Sequence, residues 1–365
     1  MQKLQNCLNV INSKPFSGMT IPELTIALEN ITEEKNYAYR AKQIFSWISR
    51  ACLSFDNMTN LPQSLRSYLA NHALVCESIV KKKLIDSDGT IKLVLQLTDG
   101  ALIETVLLAG KNGHYSACLS TMAGCPMGCV FCKTGTMGFL RNLETSEIVE
   151  QLLFLSVELR EQSILQQQQN RISHIVVMGM GEPLLNITPL RKALEILCDP
   201  LGFAFSKRKI TISTSGIYNG IVELAEKGPA VELAFSIVSA REELRSSLMP
   251  GIIKEPLSKI KQALLLYQKE LGRRITLEIV LLRGINTTGE DVRSLLDFSE
   301  NLDITVNLIP WNPVENLFFE GKKIQSPKTL EIQNFSRLLK EGGLRVTQRY
   351  RRGRGINGAC GQLGN

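Results

Sequence analysis

The hydrophobic pattern of the chain changes period twice. Up to about residue 76, apolar positions recur at helical spacing in Ile21 to Leu28, Tyr39 to Ala51 and Leu61 to Leu69, with Pro22 and Pro62 near two of the starts. Residues 1–76 are therefore expected to form a helical accessory domain. Between 77 and 114 the runs shorten. Ile79-Val80, Ile91 to Leu97 and Ala101 to Leu108 read as strands, with Asp86-Ser87-Asp88-Gly89 and Asp99-Gly100 as the turns of a β-hairpin linker segment.

Beyond residue 115 short apolar runs alternate with longer helical patterns, which predicts βα units on a parallel sheet. The expected strands are Ser116 to Leu119, His174 to Met178, Lys209 to Ile212, Val231 to Ile237, Thr276 to Leu281 and Thr305 to Leu308. The expected helices are Thr145 to Glu161, Thr188 to Leu197, Gly220 to Glu226, Pro256 to Leu271, Gly289 to Glu300 and Lys328 to Lys340. Six such units over 115–349 make an α/β fold, a partial or full barrel with its ligands at the C-terminal ends of the strands. Gln166-Gln167-Gln168-Gln169 reads as a solvated connector, and 350–365 as a Gly-rich tail.

Composition narrows this little: 44% hydrophobic and 21% charged residues suit an ordinary globular protein with one large and one small domain. Ile175 to Met180 and Ile275 to Leu282 fall far short of the roughly 20 residues a membrane span needs. Met1 to Cys7 lacks the basic-then-apolar pattern of a secretion signal, so a cytoplasmic protein without membrane attachment is expected. The formal charge of +7 permits an anionic partner. Lys81-Lys82-Lys83 and Lys207-Arg208-Lys209 read as solvated faces. Arg345, Arg349, Arg351, Arg352 and Arg354, just before Cys360, suit phosphates, while Tyr350 suits either a stacked base or the core.

Nine cysteines in a long chain without a secretion signal favour metal or redox chemistry over a disulfide scaffold. Cys125, Cys129 and Cys132 are close enough in sequence for one loop to wrap an inorganic centre. Thiolates select zinc or iron-sulfur clusters, and a structural zinc site normally closes with four protein ligands. No Cys or His follows within the next ten residues. Three ligands on a cubane leave one iron open. Zinc remains the alternative. Cys7, Cys52, Cys76 and Cys198 are assigned to packing.

C-x-x-x-C-x-x-C is the motif of the radical S-adenosylmethionine (SAM) superfamily. The chain resembles, over nearly its whole length, the RlmN/Cfr family of radical SAM RNA methyltransferases. The resemblance rests on Cys118 ahead of the cluster, Gly135 to Leu143 behind it, Gly179-Met180-Gly181-Glu182-Pro183-Leu184, Leu308 to Pro313, and the tail Ala359-Cys360-Gly361-Gln362-Leu363. Tyr39 to Ile48 and Met58 to Pro62 match the family's N-terminal domain. The resemblance implies a partial (β/α)6-type radical SAM barrel and a 4Fe-4S cluster on Cys125, Cys129 and Cys132. It implies SAM contacts at Gly181, Glu182, Ser213, Ser236, Ile237, Val238 and Asn312.

It also implies a mechanism suited to an electrophilic ring carbon. One SAM methylates Cys360, and a second yields a radical that takes hydrogen from the S-methyl group. The methylene adds to adenine, Glu104 accepts the ring proton, and Cys118 attacks the Cys360 sulfur, releasing product and forming a disulfide. Two SAM are used per turnover. The implied target is carbon 2 of an adenosine in 23S ribosomal RNA, with transfer RNA as a further substrate. The implied enzyme is a monomer served by an external reductant.

Two segments depart from the family. Ser236-Ile237-Val238-Ser239 stands where Ser-Leu-His-Ala is usual, and Gly353-Arg354-Gly355-Ile356-Asn357-Gly358 replaces a commonly acidic stretch. These keep carbon 8, or another RNA, open as a target. From a different class, an RNA-binding protein with a structural metal loop would need none of Cys118, Cys360 and Glu104.

Overall fold

The computed structural model describes residues 14–32, 36–167, 170–252, 255–349 and 352–364. Cys7, Gln168, Gln169, Tyr350 and Arg351 lie outside the described residues, as does the Met1 to Cys7 segment.

Three helices form the N-terminal module: α1 (Ile21–Ile31), α2 (Tyr37–Ser49) and α3 (Gln63–His72). The Thr20 amide donates to Glu23 Oε2 at 2.8 Å, so a capping box starts α1. Leu24 and Leu28 then pack with Ala41, Ile44 and Ile48 of α2, all fully or nearly fully buried. The module is fastened to the remainder by Glu150, a buried carboxylate that accepts from Ser17 Oγ at 3.0 Å and from the Glu77 and Ser78 amides at 3.1 and 3.0 Å. Three donors offset the cost of burying that charge.

Strands β1 (Ile79–Ile85), β2 (Ile91–Gln96), β3 (Leu102–Ala109) and β4 (His114–Cys118) pair antiparallel in sequence. The segment expected as a linker is thus the antiparallel flank of the main sheet. Lys81, Lys82 and Lys83 sit on β1 with solvent-exposed side chains.

Next come the cluster-loop hairpin, β5 (Met122–Gly124) and β6 (Phe139–Asn142), with the one-turn α4 (Lys133–Thr136) between them. Then follow α5 (Thr145–Gln166), β7 (Arg171–Val177), α6 (Ile187–Cys198), β8 (Ile210–Thr214), α7 (Tyr218–Lys227) and β9 (Glu232–Ser236). The chain continues through α8 (Glu242–Leu248), α9 (Leu257–Leu271), β10 (Ile275–Leu281), α10 (Gly289–Ser299) and β11 (Ile304–Pro310). A small hairpin, β12 (Phe318–Phe319) and β13 (Lys322–Lys323), precedes α11 (Thr329–Glu341) and β14 (Val346–Gln348).

The sheet order is β1-β2-β3-β4-β7-β8-β9-β10-β11-β14, parallel from β4 onward, and the two ends do not meet. This is an open, partial barrel. β14 adds a parallel strand that the sequence pattern does not predict, because three residues are too few to display a period. The same brevity hides β5, β6 and α8. α5 runs past the expected Glu161 into the glutamines and ends with Gln167 left-handed. Among the described residues no helix is long and apolar enough to cross a membrane.

Candidate active site

The three cysteines of the loop between β5 and β6 line one cavity at the C-terminal ends of the strands. Cys125 donates its amide to Gly138 O at 2.8 Å. This closure needs glycine at position 124, where φ is +80° and a Cβ would stand 2.0 Å from that same oxygen. Burial pushes the Cys125 thiol up to about 12 and raises Cys129 and Cys132 as well. Metal ligation reverses this, since coordination deprotonates a thiol outright. Among the described residues no three His, Cys, Asp or Glu side chains converge closely enough for a single metal ion. Three thiols around one shared cavity fit a thiolate-held iron-sulfur centre that keeps one iron open.

Opposite the cysteines, the same cavity is lined by Gly181 and Glu182 after β7, Ser213 of β8, Ser236 of β9 and Val238 after it, Glu278 of β10 and Asn312 after β11. Gly181 has φ +105°, and a Cβ there would stand 2.6 Å from Met122 Cβ, so the backbone lies against the β5 strand. The Glu182 side chain is spent within the protein. Oε1 accepts from Thr214 Oγ1 at 2.7 Å and the Leu184 amide at 3.1 Å, and Oε2 from the Ser215 amide and hydroxyl, both at 2.7 Å. Burial raises its pKa despite these bonds. Every hydrogen bond to this carboxylate comes from the protein itself.

Asn312 donates to Cys360 O at 3.0 Å, while its buried Oδ1 has no hydrogen-bond partner. A buried orphan acceptor beside a cavity fits a ligand that carries N–H or O–H donors, as SAM does. Ser213 Oγ lies 3.0 Å from both Ser236 Oγ and Glu278 Oε2. Glu278 was not foreseen, although a glutamate inside the apolar run Ile275 to Leu281 is a legible signal. Ile237 is fully buried in the core and does not line the cavity. Val238 lines it with φ +59°, a strained conformation for a β-branched residue, braced by Asn286 Nδ2 on its carbonyl at 2.8 Å.

A second, smaller cavity shares Asn312 and Cys360 with the first and adds Cys118 and Arg349. Cys118 ends β4, paired with Val106 and Val176. Cys360 arrives on the tail, stitched down by Lys133 N to Gly361 O at 2.8 Å, Thr134 Oγ1 to Leu363 O at 2.6 Å and Gln362 Nε2 to Pro313 O at 2.8 Å. Both cysteines are free thiols. Burial, then the neighbouring Cys360, pushes Cys118 up to about 12, against the lowering pull of Arg349. Arg349 Nη1 lies 3.3 Å from Met178 Sδ and 3.4 Å from Glu278 Oε1.

Glu104 is not in either cavity. It is buried on β3 with Lys92 Nζ at 3.0 Å from Oε1 and the Gly364 amide at 2.9 Å from Oε2, and it lines a neighbouring pocket with Met180 and Gly138. Lys92 also donates to Asn357 O at 3.3 Å. The Gly-rich tail segment docks on acids from elsewhere: Gly353 and Gly355 donate their amides to Asp88 and Asp86 of the β1–β2 turn at 3.1 and 3.0 Å. Lys207, Arg208 and Lys209 are exposed.

Comparison with known proteins adds the following. The Radical SAM superfamily model matches residues 119–298, and the ribosomal RNA large subunit methyltransferase N-terminal domain matches residues 14–75. The chain is 45% identical over 354 residues to a probable dual-specificity RNA methyltransferase RlmN of Treponema denticola, covering 95% of this chain and 98% of the relative. It is 40% identical over 353 residues to the dual-specificity RNA methyltransferase RlmN of Lawsonia intracellularis, covering 95% of each. The crystal structure of a radical SAM methyltransferase from Sphaerobacter thermophilus superposes with TM-score 0.89 at 35% identity, covering 96% of this chain and 99% of that one.

Proposed function

Because the chain belongs to the RlmN family of radical SAM RNA methyltransferases, enzymes of a 4Fe-4S cluster and SAM, we propose that it methylates carbon 2 of an adenosine in 23S ribosomal RNA. Transfer RNA is a second substrate on this reading, in keeping with the dual-specificity names of its relatives. It acts as a cytoplasmic monomer fed by an external low-potential reductant.

When bound, the cluster and SAM supply a methyl group and a hydrogen-abstracting radical. Cys125, Cys129 and Cys132 hold the iron, and the orphan Asn312 Oδ1, the Gly181 backbone and the Ser213–Ser236 hydroxyls receive SAM. Ile237, buried behind them, acts through its backbone neighbours Ser236 and Val238. Cys360 takes the methyl on sulfur and carries it to the ring carbon. Glu104 accepts the ring proton, for which its carboxylate has to leave the Gly364 amide and the tail has to shift. Cys118, as thiolate, attacks the Cys360 sulfur. The bond from the Cys360 sulfur to carbon breaks with its electron pair left on carbon, which takes up a proton to become the methyl group, and the one unpaired electron of the radical addition passes to the external one-electron couple. The product leaves, and a Cys118–Cys360 disulfide remains for the reductant to reduce.

One observation carries this reading: Cys360 borders the cavity of the three cysteines and the cavity of Cys118 at once. A non-catalytic RNA binder has no use for that placement. The test is anaerobic reconstitution followed by incubation with SAM, reductant and protein-free ribosomal RNA, with nucleosides read by mass spectrometry. 2-Methyladenosine from wild type and none from Cys360→Ala is expected; 8-methyladenosine would move the target carbon. Product from Cys360→Ala would overturn the carrier role.

A further inference from the structure

Arg245 is the largest fully buried side chain of the described residues, with 1% of its surface exposed. It lies on α8, and this helix with the turn after it packs directly on the cluster loop. The Val130 amide donates to Leu248 O at 3.1 Å, and Gly251 donates to Met127 O at 2.9 Å. Gly251 has no room for a side chain, since a Cβ would stand 2.6 Å from Met127 Cα. The guanidinium reaches back to the cavity wall, where Nη2 donates to Ser215 O at 2.5 Å. Ser215 is also the residue whose hydroxyl donates to Glu182.

The cation lacks the partner that burial demands. Among the described residues no carboxylate comes within ion-pair distance of it: Nη1 meets only the Glu255 carbonyl, at 3.4 Å, and Nε has no hydrogen-bond partner at all. The Phe235 ring, 5.5 Å away, gives further but weaker compensation. Desolvation, the largest influence, lowers its pKa to about 10, so it stays charged at neutral pH. The Ser215 carbonyl that takes its Nη2 belongs to a residue lining the cavity of the three cysteines, which brings the cation to the wall of that cavity. Glu242 is itself engaged by the Leu257 amide at 2.9 Å.

A buried guanidinium without an ion pair is costly unless an anion stands near it. We infer that Arg245 is the counter-charge of the cluster site, a positioning residue that stabilises the thiolate-ligated cluster electrostatically and favours its one-electron reduction. Cluster potentials follow net charge and the surrounding shell, so a fixed positive charge behind the Cys129 side of the loop makes the site easier to reduce. The electron comes from an external low-potential one-electron donor and resides on the cluster; no bond to Arg245 forms or breaks. This inference rests on the cluster reading of the three cysteines.

The test is a potentiometric titration with dithionite, followed by electron paramagnetic resonance, on reconstituted wild type, Arg245→Lys, Arg245→Met and Arg245→Gln, without RNA. Iron and sulfide are measured in each. With iron at wild-type levels, Met and Gln are expected to lower the equilibrium constant for reduction about tenfold, which is 59 mV for one electron. Lys, which keeps the charge, stays near wild type. Gln retains a donor for Ser215 O, so a purely structural role would leave its potential unmoved. Loaded Met or Gln protein with a wild-type potential overturns the inference. Wild type that binds no iron fails the cluster reading, and the counter-charge role falls with it.

Discussion

The cavity of Cys125, Cys129 and Cys132 is framed chiefly by one short loop and the strand ends of a single sheet, with Cys360 at its border, whereas its neighbour joins Cys118 of β4 to that same Cys360 at the far end of the chain. The first is held by close packing, as at Gly124 and Gly181, where no side chain fits. The second is held by a tail fastened with individual hydrogen bonds to Asn312, Lys133, Thr134 and Pro313. On the proposed reading, the centre that binds metal is built rigid, and the sulfur that reaches the substrate and then a second sulfur is carried on a segment held by separate hydrogen bonds. Changes in the first cavity should act as all or none, and changes in the second by degrees.

Replacing Cys125, Cys129 or Cys132 by Ser should have the largest effect, loss of all product together with loss of bound iron by elemental analysis. Iron retained at the wild-type level would mean these thiols are not the ligands. Glu104→Gln comes next. Removing a proton acceptor should slow product release by about 10²–10⁴-fold in single-turnover assays. The same change leaves Lys92 buried without its counter-charge, a loss of about 3–5 kcal/mol in denaturant unfolding. Full release activity in a folded Gln variant would remove Glu104 from the mechanism.

The pH profile of the second cavity follows from Cys118. A thiol pushed up to about 12 is almost wholly protonated at neutral pH, and its thiolate fraction grows about tenfold per unit as pH rises. Release of product from Cys360 should accelerate with that slope between pH 7 and 9. A flat profile would mean that binding RNA has already ionised the thiol. Asn312→Ala is expected to be the mildest, weakening SAM binding about tenfold by equilibrium dialysis, the value of one hydrogen bond to a charged group. It touches both cavities, so an unchanged affinity with slower transfer would assign Asn312 to the tail alone.

Much of this frame could be read from the chain. Six βα units follow from strands such as Thr276 to Leu281 and helices such as Pro256 to Leu271, because buried parallel strands and amphipathic helices impose different periods. The cluster loop was legible because its ligands are neighbours in sequence. Neither β14 nor α8 was, since neither is long enough to show a period, and the β1–β3 strands could not reveal that they extend the main sheet. Glu278 was written in the sequence as a charge within an apolar strand. Arg349 was legible only as one of a basic cluster suited to phosphates, not as a partner of Glu278, and Arg245 was not distinguishable from an ordinary surface cation, because its burial depends on elements far away in the chain. The pairing of Cys118 with Cys360 came from family resemblance alone, as no local pattern links residues so distant. Nor could the sequence show that the Glu182 carboxylate is consumed by Thr214 and Ser215.

The central claim is that Cys360 carries the methyl carbon to RNA and Cys118 frees it. Reconstituted Cys118→Ala protein, incubated with SAM, reductant and ribosomal RNA and then digested with nuclease and trypsin, tests it most directly by mass spectrometry. The account predicts a peptide bearing Cys360 joined through one carbon to adenosine, accumulating while free methyladenosine does not. Free methyladenosine at the wild-type rate, with no such peptide, would contradict it.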